Sequence, residues 1–348
     1  MAKNVYLLIT DTHFGNLVTS TRKAYREEMQ DTQSKLLEIA VKYKKAGNNV
    51  IACFMGDIFH NSYKDVTEAL IDKDFLHLWQ QTLGDIYTVM GNHEFTYYKA
   101  NPFYTAVNCI ESDAVRGIIN KVWMPLGIDS VIKVVDRLED GEVVFHFNHY
   151  GTGIRNPEIE KINIGLFHQD IIDPVIRESA KGNLNYVQTV DVDKSGILTG
   201  YQYCFFGHIH NVYGVWKSNG VYLQYLASLG RTNETEVRND FLERDIPAII
   251  VEDGKFVGIE DNYVQLLPRE KCIVEEVVIK NQEARQRVKE VRELKDYIPF
   301  GDNPVDNVKQ IFTETPTVLQ IINDLQTSEN DNIYTEICRK MRDLRIGY

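Results

Sequence analysis

Five short segments rich in Asp, Asn and His lie between residues 11 and 210 of this chain. They are Asp11-Thr12-His13, Gly56-Asp57, Gly91-Asn92-His93-Glu94, Phe167-His168 and Gly207-His208-Ile209-His210. Carboxylate, amide and imidazole groups form mixed oxygen and nitrogen shells that suit manganese, iron or zinc, whereas a closed structural zinc site would need more thiolates. Two divalent cations about 3.5 to 4 Å apart can clamp a phosphate ester and activate a shared water for attack. The residue types therefore predict a two-metal centre for phosphoester hydrolysis.

Each segment directly follows an apolar run that is typical of a buried β-strand. The runs cover residues 5–10, 50–55, 86–90, 162–167 and 203–206. Their length and their β-branched and aromatic content favour strands of a covered sheet over helices. Ligands of an open α/β sheet gather outside the carboxyl ends of its strands, so we expect the five segments to converge. In Asp11-x-His13 and His208-x-His210 the spacing places alternate side chains of a turn or strand end on one side.

A carboxylate is the natural bridge between two cations, because its charge offsets their mutual repulsion. Asp57 is our candidate for this bridge. Three residues would complete the shell of one metal, namely Asp11, His13 and His210. Three others would complete the second shell, namely Asn92, His168 and His208. His93 follows Asn92 directly and would face the substrate, where a protonated imidazole can donate a proton to the leaving oxygen.

Taken in order, the five segments resemble the motifs of the calcineurin-like metallophosphoesterase family over roughly residues 4–260. The resemblance implies the same two metal shells, and it implies that His93 assists the leaving group. The sequence Gly56-Asp57-Ile58-Phe59-His60 is similar to an element of the SbcD-type double-strand-break repair nucleases, in which the His at this place, here His60, helps position the phosphate and its nucleophile. An Asp-Arg-Gly after this Asp, typical of phosphoprotein phosphatases, is absent. Glu94 favours the phosphatases instead, since most repair nucleases have Asp there; either residue can orient a histidine.

We expect an α/β fold, a two-sheet α/β sandwich of the metallophosphoesterase type with a small α+β C-terminal cap and helical region. A 3.6-residue stripe predicts a helix over residues 21–45, with Gly47 as its stop. Hairpin turns are predicted at Asp140-Gly141, Asn219-Gly220 and Asp253-Gly254, and these hairpins suit the second sheet. His77 and His146 are predicted to be packing residues. His149, in the run Phe145-His-Phe-Asn-His-Tyr-Gly, is either a hydrogen-bonded strand-end residue or a substrate contact.

Two domains are expected, a metallophosphoesterase domain over residues 1–262 and a C-terminal cap and partner-docking region over residues 263–348. A strand is predicted at 272–280 and a charged helix at 282–297, followed by shorter helices. These helices could simply pack on the catalytic domain, or they could form a cap and then dock onto a partner through an apolar stripe. The resemblance implies an SMC-like coiled-coil ATPase of the SbcC type as that partner.

Composition limits the function classes. No apolar run approaches the length that spans a bilayer, so we expect no membrane association and a cytoplasmic protein. The 5 cysteines are scattered without paired spacing, which indicates reduced core thiols. The net charge of −12 weakens non-specific binding to DNA. A basic partner, or local residues such as Arg22, Lys23 and Arg26, would have to compensate.

The resulting hypothesis is a DNA nuclease that uses two divalent ions, for which we expect Mn²⁺, and hydrolyses phosphodiesters with a metal-bridging water. It would act as exonuclease or endonuclease in an SbcCD-type recombination and repair complex, in the bacterial host cytoplasm if the chain is encoded by a bacteriophage. DNA, the ATPase subunit and a second copy of the chain are the predicted partners. The alternative is a small-nucleotide phosphodiesterase or phosphoprotein phosphatase with the same metals. A non-catalytic module that keeps the fold as a scaffold is a third possibility.

Overall fold

The structure is a computed structural model, and the residues that it describes are 2–13, 25–59, 76–94, 131–169, 171–174, 176, 188–189, 192–210, 212–230, 242–268, 279, 283 and 286. The helices are α1 (Tyr25–Lys45), α2 (76–83) and α3 (Val192–Ser195). The strands are β1 (Asn4–Ile9), β2 (Asn49–Met55), β3 (Ile86–Val89), β4 (Ile132–Val134), β5 (Arg137–Asp140), β6 (Val143–Asn148), β7 (Ile162–Phe167), β8 (Ile171–Ile172), β9 (Gln188–Thr189), β10 (Tyr203–Phe206), β11 (Gly214–Ser218), β12 (Val221–Tyr225), β13 (Glu243–Asp245), β14 (Ala248–Glu252), β15 (Lys255–Glu260) and β16 (Tyr263–Gln265).

The first sheet has the order β15-β14-β1-β2-β3-β4, and its strands β1 to β4 are parallel. Successive side chains of a strand point to opposite faces, and both faces of this sheet are covered. In β1, Leu7 packs on the same side as α1, while Tyr6 and Leu8 belong to the cluster that faces the second sheet. Continuous apolar runs are therefore required here, which is why the run at residues 5–10 predicts a strand correctly.

The second sheet has the order β11-β12-β10-β7-β6-β5, with β6, β7, β10 and β12 parallel. Its inner face packs on the first sheet, where the rings of Tyr6 and Phe145 lie 4.4 Å apart. Phe145 is fully buried, and burial of a side chain of this size contributes about 1.5 to 3 kcal/mol. The two packed sheets confirm the predicted α/β sandwich.

The predicted hairpins form, but one of them joins a different sheet from the one expected. The turns at Asp140-Gly141 and Asn219-Gly220 connect strands of the second sheet, as predicted. The hairpin around Asp253-Gly254 lies in the first sheet instead, where β14 pairs antiparallel with β1. Residues Ile132–Val134 form β4, beside β3 in the first sheet. Turn residues determine only which adjacent strands pair with each other. The side chains on both faces of β14 are buried, and both faces are covered where β14 lies beside β1 in the first sheet.

The helix predicted at residues 21–45 is observed from Tyr25, since residues 14–24 lie outside the described part. The helix ends at Lys45, and Gly47 follows it with a φ of 87°, which suits the left-handed residue after a helix end. The prediction for His77 is wrong, because this residue is exposed on α2 opposite the buried Leu76 and Trp79. The prediction for His146 is correct, because its ring is buried and hydrogen-bonded to Asn163 at 2.8 Å.

Of the C-terminal region, three isolated positions beyond residue 268 are described, and all three are helical. Ile279 contradicts the predicted strand at 272–280, and Glu283 and Gln286 agree with the predicted helix. The predicted shorter helices lie outside the described residues. The cap and the domain boundary stay predictions. No helix in the described part of the chain has the length and apolar character to cross a membrane. Cys53 and Cys204 are buried and unbridged, and burial raises the pKa of both thiols.

Candidate metal centre

The loops that follow β1, β2, β3, β7 and β10 bring the predicted site residues together. Ligand atoms within 4.8 Å of one another are offered by Asp11, His13, Asp57 and His210 in one cluster, and by Asp57, His168 and His208 in another. We call Asp11, His13 and His210 the first donor group, and Asn92, His168 and His208 the second donor group. Asp57 is common to both clusters, in the position that was predicted for the bridge.

The carboxylate of Asp57 lies between the two donor groups and contacts both. Its Oδ2 lies 3.8 Å from Nε2 of His13, and its Oδ1 lies 3.3 Å from Nε2 of His168. The side chain is almost fully buried, so water does not screen these interactions. A carboxylate in this orientation can serve two cations at once.

Asp11 divides its two oxygens between structure and the first donor group. Oδ2 accepts hydrogen bonds from the hydroxyl of Thr10 and, at 2.9 Å, from the backbone N–H of His208. Oδ1 lies 3.2 Å from Nε2 of His210 and 3.9 Å from Nε2 of His13. The first oxygen orients the carboxylate, and the second is left to face the two imidazoles.

In the second donor group, side-chain oxygen and nitrogen atoms that can act as metal ligands face one another at close range. The side-chain oxygen of Asn92 lies 3.0 Å from Nδ1 of His208, 3.1 Å from Nε2 of His168 and 3.0 Å from Oδ2 of Asp57. Nδ1 of His168 lies 2.7 Å from the carbonyl oxygen of Met55 and donates to it, so Nε2 of the neutral ring carries a lone pair. Without a cation the amide would gain hydrogen bonds by turning over. The observed orientation fits a divalent cation between these atoms.

Four of the proposed ligands have left-handed backbone conformations. The φ angles are 48° at Asp11, 46° at His13, 47° at Asp57 and 74° at His208. A non-glycine residue in this region costs about 1 to 3 kcal/mol, and such strain concentrates at functional sites. The spacing of Asp11 and His13 predicted a turn or a strand end, and the left-handed φ angles show that the two residues meet in a turn.

Two glycines allow the close approach of the segments. A methyl group on Gly56 would overlap the ring of His168, and Gly56 also has a φ of 89°. A methyl group on Gly91 would overlap the backbone and the carboxylate of Asp57. Both positions therefore require glycine for the two donor groups to meet at Asp57.

Glu94 holds two of the site loops together through their backbones. Its Oε2 accepts from the N–H groups of Asp57 at 3.0 Å and Gly91 at 2.7 Å, and its Oε1 accepts from Phe59 at 3.2 Å. This replaces the expectation that Glu94 orients a histidine. Sequence alone does not distinguish the two roles, since a carboxylate accepts from either donor. Burial, followed by the charge of Asp57, raises the pKa of Glu94 to about 7.

His93 occupies the open side of the site. Its backbone N–H donates to Oδ1 of Asp57 at 2.9 Å, and Nε2 lies 3.9 Å from Oδ2. Its side chain is 28% exposed, whereas those of His13 and His168 are fully buried. The ring is thus accessible from solvent, as a proton donor to substrate must be. His60, the other predicted catalytic residue, lies outside the described residues.

The charges of the site depend on one another. Burial acts to raise the pKa of Asp57, yet the charge and hydrogen bond of His168 hold it well below its usual range. Burial acts to lower the pKa of His168, but the charge of Asp57 raises it to about 9. Burial lowers the pKa of His13 to about 3. The negative charge of Asp57 therefore favours positive charge, whether of a proton or of a metal cation, beside Nε2 of His168.

His149 and Tyr150 adjoin the site without belonging to either donor group. Of the two possibilities left open for His149, the structure shows the hydrogen-bonded strand-end position, with the side chain fully buried. Tyr150 was not singled out from the sequence, although its ring lies 5.3 Å from the ring of His208. The available signal was its position just beyond the end of β6, which resembles the position of the ligands beyond β7 and β10.

Comparison with protein-family models gives a match to the calcineurin-like phosphoesterases over residues 5–212, more than half of the 348 residues. The chain belongs to the calcineurin-like phosphoesterase family. This calcineurin-like phosphoesterase is accordingly a metal-dependent hydrolase of phosphate esters, with an Asp and His cluster that suits divalent cations. Comparison with curated proteins gave no significant match.

Several solved structures are similar to this calcineurin-like phosphoesterase in fold. They include a 5′-nucleotidase precursor from Thermus thermophilus, with 14% identity and a TM-score of 0.38, covering 83% of this chain and 59% of that chain. The sulfate thiohydrolase SoxB from the same organism has 8% identity and a TM-score of 0.40, with coverages of 82% and 61%. The NAD nucleotidase of Haemophilus influenzae has 13% identity and a TM-score of 0.37, with coverages of 78% and 54%. The chain thus spans 54% to 61% of these proteins, and their substrates are not transferred to it.

Proposed function

We propose that this protein hydrolyses a phosphate ester of a small nucleotide-type substrate at a two-metal centre. The observation that carries the proposal is the buried carboxylate of Asp57, which lies between the two donor groups and belongs to both clusters of ligand atoms. The first donor group would hold one cation and the second donor group the other, with Asp57 as the shared ligand. A pair of divalent cations supplies charge neutralisation of the phosphate and activation of water at neutral pH.

The protein's own residues have separate tasks in this proposal. Asp11 and Asp57 supply the negative charge, and their orientation is held by hydrogen bonds from backbone N–H groups. Nε2 of His93 donates a proton to the departing oxygen, because it lies beside Asp57 on the exposed side of the cluster. Glu94 keeps the loops of Asp57 and Gly91 at a constant separation.

Charge favours a small substrate over long duplex DNA. The chain carries a net charge of −12, and DNA binding relies on many phosphate contacts from Lys and Arg. Among the described ion pairs of the site, Asp11 and Asp57 pair with histidines only. Arg155, whose charge acts on His149, is occupied by an ion pair with Asp136. Arg22, Lys23 and the side chain of Arg26 lie outside the described residues.

A DNA nuclease is the second candidate, favoured by the segment from Gly56 to His60. The similarity of this segment to the repair nucleases is the observation behind it, and an SMC-like ATPase, a second copy of the chain or both would then supply the DNA contacts. Bacteriophage origin and a role in recombination belong to the same proposal. Manganese is our proposal for the metal in both cases.

The test is hydrolysis by the full chain in Mn²⁺ of a nucleoside monophosphate, a cyclic dinucleotide, a phosphopeptide and linear duplex DNA. An Asp57→Ala protein purified in parallel removes the contribution of contaminating phosphatases, and EDTA removes the metal. We expect kcat/KM to be highest for one of the nucleotides. Higher kcat/KM on duplex DNA would transfer the proposal to the nuclease, and a preference for the phosphopeptide would transfer it to a protein phosphatase. Absence of Mn²⁺ binding and of all hydrolysis would indicate a scaffold.

A further inference from the structure

The turn that follows β6 binds the loop of Asn92 although it contributes no proposed ligand. The backbone N–H of Met90 donates to Nδ1 of His149 at 2.8 Å. The next residue, Tyr150, donates its own N–H to the carbonyl oxygen of Met90 at 2.9 Å. Both backbone groups of Met90 are therefore held by two consecutive residues of this turn. Met90 directly precedes Gly91-Asn92, so the start of the Asn92 loop has a defined position.

The last residue of β6 and the turn that follows it also contact the other two members of the second donor group. The backbone N–H of His168 donates to the carbonyl oxygen of Asn148 at 3.1 Å. The ring of Tyr150 lies 5.3 Å from that of His208 and 6.4 Å from that of His168. Asn92, His168 and His208 come from three different strand ends. The turn after β6 is thus a common support for all three.

The other side of the His149 ring faces an acidic side chain. Because Nδ1 accepts from Met90, the proton of the neutral ring is on Nε2, which faces Oδ1 of Asp136 at 3.3 Å without a well-aligned hydrogen bond. Asp136 is paired with Arg155, whose backbone N–H donates to Oδ1 of Asn148 at 2.9 Å. The side chain of His149 is fully buried, so water cannot replace the hydrogen bond to Met90.

We infer that His149 is a positioning residue for the second donor group, acting through the Nδ1 acceptor that holds Met90. This inference rests on the proposed two-metal function, because it concerns the affinity of the second cation site. Loss of a hydrogen bond that orients metal ligands lowers metal affinity by about 10- to 100-fold. The first donor group, whose Asp11 and His13 are held by the loops of β1 and β2, should keep its affinity.

Two substitutions separate the acceptor from the bulk of the ring. In His149→Asn the side-chain oxygen can occupy the position of Nδ1 and still accept from Met90. In His149→Gln the amide extends to the position of Nε2, and His149→Leu removes both polar atoms. His146→Leu is the matched control, because His146 is also a buried, hydrogen-bonded histidine of β6 but contacts Asn163 and Tyr201 instead.

The experiment is titration of the metal-free full chain with Mn²⁺ by calorimetry, together with electron paramagnetic resonance to distinguish a coupled Mn²⁺ pair from a single ion. Near-ultraviolet circular dichroism checks folding. We expect wild type, His149→Asn and His146→Leu to bind two ions. We expect His149→Gln and His149→Leu to bind the second ion about 10- to 100-fold more weakly and to lose the coupled signal.

Equal affinity of His149→Asn and His149→Gln for the second Mn²⁺ would overturn the inference, because an acceptor at the position of Nδ1 would then make no difference. The same weakening in His146→Leu, or equal weakening of both ions, would overturn it too, since the cause would be general destabilisation. If His149→Leu does not fold, the Asn and Gln variants decide. Wild-type protein that binds fewer than two Mn²⁺ would overturn the proposed function itself, which distinguishes the two failures.

Discussion

The two donor groups meet at the same carboxylate but are built differently. In the first donor group, backbone hydrogen bonds join the loop after β1 to the loop after β2. The N–H of Asp11 donates to the carbonyl of Gly56 at 3.2 Å, and that of His13 donates to the carbonyl of Asp57 at 2.9 Å. In the second donor group, Asn92 and His168 are oriented from outside their own turns, by the turn after β6 and by the carbonyl of Met55. Asp11 and His13 of the first group are thus held by backbone contacts between neighbouring loops of one sheet, whereas Asn92 and His168 of the second group are held by contacts between the two sheets.

This difference shows which contacts hold the ligands of each donor group in place. Left-handed φ angles at Asp11 and His13 are tolerated because neighbouring strands of one sheet hold the turns. The second donor group requires the two sheets to keep their relative position, since His168 comes from the second sheet and Asn92 from the first. The first donor group also takes His210 from the second sheet, so substitutions that affect packing between the sheets should weaken both cation sites.

The largest effect is expected for Asp57→Ala, because it removes the group common to both halves. Binding of both Mn²⁺ ions should be lost, and activity should fall on the order of 10³-fold or more, the equivalent of several kcal/mol of transition-state stabilisation. Calorimetric titration with Mn²⁺ and steady-state hydrolysis measure these quantities. A variant that keeps two ions and full activity would remove Asp57 from the bridging position.

His210→Ala and His168→Ala separate the two donor groups. Each variant should keep one high-affinity Mn²⁺ and lose the other, because each group would retain its remaining ligands with Asp57. The stoichiometry of Mn²⁺ binding is the measurement, and His77→Ala, an exposed position on α2, is the control that should bind two ions. Loss of both ions in His210→Ala would show that the groups do not bind independently.

A smaller effect, on turnover alone, is expected for His93→Ala. This residue belongs to neither donor group, so both Mn²⁺ ions should remain bound. Loss of a general acid should lower kcat by about 10²-fold or more. Parallel measurement of Mn²⁺ stoichiometry and kcat tests this, and a variant that loses metal together with activity would show that His93 is a ligand instead.

The smallest change in activity is expected for Glu94, whose substitution alters only the spacing of the loops. In Glu94→Ala three buried N–H donors lose their acceptor, at a cost of about 1 to 3 kcal/mol each, so the free energy of unfolding should fall by at least about 3 kcal/mol. Glu94→Gln keeps one oxygen and should lose less. Urea denaturation in EDTA measures the difference, and an unchanged midpoint for Glu94→Ala would contradict the bracing role.

The buried strands were predictable because they are covered on both faces. The run at residues 50–55 corresponds to β2, and the run at residues 162–167 corresponds to β7. The position of Asp57 and His168 directly after these strands was therefore predictable too. The sheet joined by the hairpin at Asp253-Gly254 was not, because turn chemistry acts over four residues and says nothing about distant partners.

By itself, the sequence determined the set of chemical groups and the strands that present them, since residue type and apolar periodicity are local properties of the chain. The tertiary structure alone decided that Asp57 directs one oxygen to His13 and the other to His168. It also decided that Glu94 braces backbone N–H groups and that His149 holds Met90. These distances join residues from separate strands and depend on how the two sheets pack, which short-range sequence patterns do not encode.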